Sequence, residues 1–130
     1  MFIDTSAMIA ILTLEPDAAV LAARMERAPL RVTSALVLLE AAMRLATILN
    51  VDPRVVGAKL NDFTVEADIA VVPIGEATAR LAIEAFAAYG KGRGQPAQLN
   101  LADCMSYAVA KEMGVPLLYK GDDFARTDLR

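Results

Sequence analysis

The amino-acid sequence predicts an α/β fold in which a parallel sheet carries helices on both faces. Two observations carry this reading. Short apolar stretches at Phe2-Ile3, Leu30–Thr33, Ile69–Val72 and Leu117–Tyr119 are separated by longer segments of helical pattern, and strands that alternate with helices connect in parallel. No linker, internal repeat or low-complexity tract interrupts the 130 residues, so one domain over 1–130 is expected.

The elements follow from their boundaries. Phe2-Ile3 reads as the end of a buried strand, and Asp4-Thr5-Ser6 hands it to an apolar helix over Thr5–Leu14. Glu15-Pro16-Asp17 restarts a helix to about Arg27, with proline at an early helical position and acids in the first turn. Leu30–Thr33 is a short strand, and Ser34 caps a long helix to about Leu49. Asp52-Pro53 repeats the cap-and-proline signal for a helix to about Glu66. Ile69–Val72, closed by Pro73, reads as a buried strand, and Gly75–Ala88 as a helix. Tyr89–Gln98 holds Gly90, Gly92, Gly94 and Pro96 together and is a loop. Asn100 caps a helix to about Met113, Gly114-Val115-Pro116 ends it, and Leu117–Tyr119 is the last strand before the Gly121-Asp122-Asp123-Phe124 turn.

Composition narrows the chemistry. There is no histidine and a single cysteine, Cys104. That removes histidine-based hydrolases, histidine general bases and zinc sites built on His or several Cys. Any metal must then be a hard cation held by oxygen. A net charge of -3 and a pI near 4.9 argue against holding nucleic acid by a bulk positive field. They leave open an enzyme that meets phosphates through bound cations. A hydrophobic content of 56% exceeds the usual ~45–50% and points to self-association or a partner interface. A lone cysteine, no apolar run of membrane-spanning length and no basic signal segment lead us to expect a cytoplasmic protein.

Against that background the carboxylates stand out. Asp4 and Asp122 follow strand ends, Asp103 lies in the first turn of a helix, and Glu40 lies in the second turn of the helix after Leu30–Thr33. In a parallel sheet all of these gather at the carboxyl edge, where ligands bind. Crowded carboxylates raise one another's pKa values, and a divalent cation relieves the repulsion. Each residue also has a plainer role: Asp4 as a helix cap, Glu40 as the i,i+4 partner of Arg44, Asp103 as a dipole stabiliser, Asp122 and Asp123 as turn residues. Lys91 and Arg93 in the glycine-rich loop are candidates to grip phosphates. Thr5 and Ser6 are candidates to orient Asp4.

Four stretches carry a family resemblance: Phe-Ile-Asp-Thr-Ser-Ala at 2–7, Ser-Ala-Leu-Val-Leu-Leu-Glu at 34–40, Leu-Asn-Leu-Ala-Asp-Cys at 99–104, and Leu-Leu-Tyr-Lys-Gly-Asp-Asp-Phe-Ala-Arg-Thr-Asp at 117–128. In this order and length the chain resembles the PIN-domain ribonucleases, specifically the VapC toxins of toxin–antitoxin pairs. The resemblance implies a three-layer α/β/α fold around a central parallel sheet of about four to five strands. It implies an endoribonuclease dependent on Mg²⁺ or Mn²⁺, with Asp4, Glu40, Asp103 and Asp122 as the acidic quartet and Asp4 and Asp103 as metal ligands. Many members read Thr-x-Asp-x-Asp-Phe where this chain has Lys120-Gly121-Asp122-Asp123-Phe124, so either Asp122, the favoured choice, or Asp123 takes the fourth place. A homodimer and a VapB-like antitoxin are the partners implied besides RNA.

Other readings exist. A haloacid-dehalogenase-type phosphatase wants an acid two residues after its first Asp, where this chain has Ser6. A receiver domain wants an acidic pair and a central Asp. A catalytically inert binding module would use these acids as caps alone.

Overall fold

The computed structural model describes residues 1–129. Its order is β1 (Phe2–Ile3), α1 (Thr5–Leu12), α2 (Ala18–Glu26), β2 (Val32–Ser34), α3 (Ala35–Leu49), α4 (Pro53–Glu66), β3 (Ala70–Val72), α5 (Glu76–Tyr89), α6 (Leu101–Met113), β4 (Leu117–Leu118) and a final 3-10 turn at Phe124–Arg126. The four strands make one parallel sheet in the order β3-β2-β1-β4, flanked by the six helices, which is the α/β architecture expected. Phe2 pairs with Val32 on one side and Leu117 on the other, so β1 is central. Phe2, Ile3, Met8, Val32, Val109 and Leu118 are essentially sealed from solvent and form the heart of the core.

This strand order has a consequence for function. The chain steps outward from β1 through β2 to β3 and then returns to add β4 on the opposite side of β1. The reversal leaves a crevice between the carboxyl ends of β1 and β4, the place where open parallel sheets hold ligands. Asp4 emerges from one strand there and Lys120 to Asp123 from the other.

Three local expectations change. Helix α1 stops at Leu12 rather than Leu14: the Thr13 N–H and hydroxyl both bond the Ile9 carbonyl, and Leu14 turns to a φ of 55°. Pro16 sits in the turn before α2, not inside the helix, and Asp17 makes no capping bond. The Ile69–Val72 segment is not wholly buried. Ile69 is buried, but β3 lies at the sheet edge and Val71 is 48% exposed. Among the described residues, no helix is long and apolar enough to cross a membrane.

Candidate active site

Local chemistry explains where each acid sits. Asp4 is the N-cap of α1, its Oδ2 accepting from the Ser6 N–H at 2.9 Å and from the Ser6 hydroxyl at 2.6 Å. The same hydroxyl accepts from the backbone N–H of Lys120 at 3.0 Å, tying the β1 exit to the β4 exit. Ser34 ends β2 and caps α3, accepting from the Val37 N–H. Glu40 follows in the second turn. Asn100 and Asp103 form a reciprocal capping box at α6: the Asp103 N–H donates to Asn100 Oδ1 at 2.9 Å, and the Asn100 N–H donates to Asp103 Oδ2 at 3.0 Å.

Asp4, Glu40, Asp103 and Asp123 line one cavity of about 210 Å³, together with Ser6, Arg44, Asn100, Lys120 and Phe124. Asp122 is not among the lining residues. Gly121 takes a φ of 99° and Asp123 enters the 3-10 turn at Phe124, so the second Asp of the pair is the one presented to the cavity.

The electrostatics register the crowding. Asp103 is pushed up to about 6 from the ordinary 3.8, first by burial and then by the charges of Asp4, Asp123 and Glu40, while the bond from Asn100 opposes the rise. Among the described residues no three acidic side chains are drawn tightly enough together to hold an ion as they stand. Their chemistry nonetheless fits a hard cation. The donors are carboxylate oxygens, and Asp4 Oδ1 and Asp103 Oδ1 accept none of the described hydrogen bonds.

Sequence reading undervalued two cavity residues. In the sequence Lys120 stands out only as a departure from a family pattern, yet its ammonium pairs with Glu15 and Asp17 across more than 100 positions. Nothing local signals that contact. The i,i+4 spacing offers Arg44 as a partner for Glu40, but no such ion pair forms among the described residues.

Fold and site define a class: a parallel α/β protein with an oxygen-donor cavity at the carboxyl edge of its sheet. Comparison with known proteins narrows it. The PIN domain family model matches residues 1–129. Ribonuclease VapC28 of Mycobacterium tuberculosis is 44% identical over 130 residues, covering 100% of this chain and 96% of the relative. Ribonuclease VapC42 of the same species is 40% identical over 132 residues, covering 100% and 97%. Among solved structures, Mycobacterium tuberculosis VapC20, a Sarcin-Ricin loop cleaving toxin, superimposes with a TM-score of 0.71 over 95% of this chain and 92% of that one, at 22% identity, and shares the fold. The chain belongs to the PIN domain family, among its VapC ribonucleases, as its motifs implied.

Proposed function

We propose that residues 1–130 act as one domain, the toxin of a toxin–antitoxin pair, and hydrolyse phosphodiester bonds of RNA at the acidic cavity with Mg²⁺ or Mn²⁺ as cofactor. The observation that carries this is the gathering of Asp4, Glu40, Asp103 and Asp123 from four separate parts of the chain onto one cavity. Asp4 and Asp103 are the proposed metal ligands. The fourth acid is Asp123, in place of the Asp122 favoured on sequence, because Asp123 faces the cavity.

When bound, the cation supplies an acidified water and offsets charge building on the phosphate. The chain's own residues do the rest. Ser6 holds the Asp4 carboxylate in one orientation through the 2.6 Å bond, and the capping box does the same for Asp103. The side chains of Glu40 and Asp123 make none of the described hydrogen bonds and are free to take the proton that the attacking water releases as one P–O bond breaks. Lys91 and Arg93 lie in the loop that ends at Asn100 and are proposed to hold RNA beyond the cleavage point. The engagement of Ser6 with both Asp4 and Lys120 supports this reading over a phosphatase, which needs an acid at that position.

RNA, a VapB-like antitoxin and a second copy of the chain are the proposed partners. Exposed Ile83, Phe86 and Leu101 offer apolar surface for such contacts, and a reducing cytoplasm suits the single buried Cys104.

The test is metal-dependent cleavage of cellular RNA, with cut ends identified by sequencing. Asp4→Asn and Asp103→Asn should lose cleavage by at least about a hundredfold while staying folded. Full activity in either variant refutes the assignment.

A further inference from the structure

Arg44 and Lys120 are the two cations on the cavity wall, and they differ in one respect. The Lys120 ammonium is held by Glu15 and Asp17, and its backbone N–H by Ser6. Arg44 makes no ion pair and no side-chain hydrogen bond among the described residues, although Glu40 precedes it by one turn of α3 at a spacing that commonly pairs glutamate with arginine. Four residues of helix rise about 6 Å. Arg44 therefore stands on the cavity wall one turn beyond an acid it does not neutralise, with its residue exposed to solvent.

A guanidinium left free beside four carboxylates is poorly explained as a counter-ion, since a counter-ion would pair. It is well explained as a receptor for an anion that arrives with the substrate. A phosphodiester approaching this acidic wall is repelled unless cations receive it. Arginine offers a planar fork of donors that meets phosphate oxygens two at a time, and it stays charged at every relevant pH.

We infer that Arg44 is a substrate-binding residue that receives an RNA phosphate at the cavity wall. The inference rests on the ribonuclease reading and adds to it a contact made by a residue outside the acidic quartet. It is separable from metal binding, because the contact needs no divalent ion.

Fluorescence anisotropy with a short randomised single-stranded RNA, in EDTA, tests it directly. Wild type is compared with Arg44→Ala, Arg44→Lys and Arg80→Ala, the last making the same change in net charge on α5, where among the described residues Arg80 pairs only with Glu76. Arg44→Ala should weaken binding about 10- to 100-fold and lower the slope of log affinity against log salt by about 0.7, the loss of one phosphate contact on a single strand. Arg44→Lys should recover part of the affinity, and cleavage by Arg44→Ala with Mn²⁺ should suffer mainly in KM. Binding by Arg44→Ala equal to wild type, or weakened no more than by Arg80→Ala, overturns the inference. Should Arg44→Ala not fold, Arg44→Gln and Arg44→Lys carry the same comparison. A wild-type chain that neither binds nor cleaves RNA would instead sink the ribonuclease reading, and the inference with it.

Discussion

Asp103 answers to two demands that pull on one carboxylate. As the third residue of α6 it accepts the Asn100 N–H and completes the helix cap, a bond that favours the ionised form. As a neighbour of Asp4, Asp123 and Glu40 in a partly buried cavity, its ionised form is disfavoured, and burial wins: the carboxyl rises from 3.8 to about 6. A carboxyl raised in the fold binds its proton more tightly in the native state than in the unfolded chain. Its contribution to stability is therefore complete below 3.8 and is lost as the pH climbs through about 6. Near neutral pH, without divalent cations, the native state must carry this charge among its neighbours. Asp103→Asn removes the charge and keeps an oxygen to accept the Asn100 N–H. In EDTA near neutral pH its thermal midpoint should rise by about 3–5 °C, corresponding to about 1 kcal/mol after allowing for solvent screening. The variant should also lose the decline in stability expected of wild type between 3.8 and about 6. Thermal melts across that range decide the matter, and a variant that melts with the wild-type pH dependence would show that Asp103 is not the strained group.

The elements show which parts of the site were open to sequence reading. Asp4, Glu40 and Asp103 each follow a local signal, a strand end or a capped helix start, and local signals fix where a residue lies along its own element. The choice within Asp122-Asp123 depends on how the chain turns at Gly121 and enters the 3-10 turn, and two adjacent acids give no preference. The exposure of β3 and the crevice between β1 and β4 depend on strand order, which no single segment encodes. The grip of Glu15 and Asp17 on Lys120 is likewise a product of tertiary folding. Gly90 belongs to the same scale. It ends α5, pairs with Leu99 in an isolated parallel bridge, and so closes the Lys91–Gln98 loop against the start of α6. A Cβ at Gly90 would collide with both the ring and the carbonyl oxygen of Phe86. The ring can rotate; the carbonyl cannot retreat without opening the end of α5. Gly90→Ala should therefore destabilise the protein by at least about 2 kcal/mol, as overpacking commonly does. Denaturant unfolding measures this, and an unchanged midpoint would mean that the helix end yields freely.

Over the whole molecule, charge sets the terms on which RNA can be held. Thirteen lysines and arginines against sixteen acids leave a net -3, so no general positive field draws a nucleic acid in. The proposed grip must come from a few cations, on the cavity wall and in the loop that leads to Asn100. Arg44 lines it, and Lys91 and Arg93 lie in the loop closed at Leu99, with the Arg93 guanidinium 5.9 Å above the Phe86 ring. Three phosphate contacts on a single strand give a slope of about -2 in log affinity against log salt, so raising salt from about 50 to 200 mM should weaken binding only about 10- to 20-fold. A protein that binds a single strand through six to ten contacts loses about 300-fold or more over the same interval. The Asp4→Asn variant, which should hold RNA without cutting it, allows the measurement in EDTA by anisotropy. A shallow slope ties affinity to the cavity and its loop. A loss of about 300-fold or more would mean that cations elsewhere on the surface join the contact, and that RNA runs well beyond the crevice between β1 and β4.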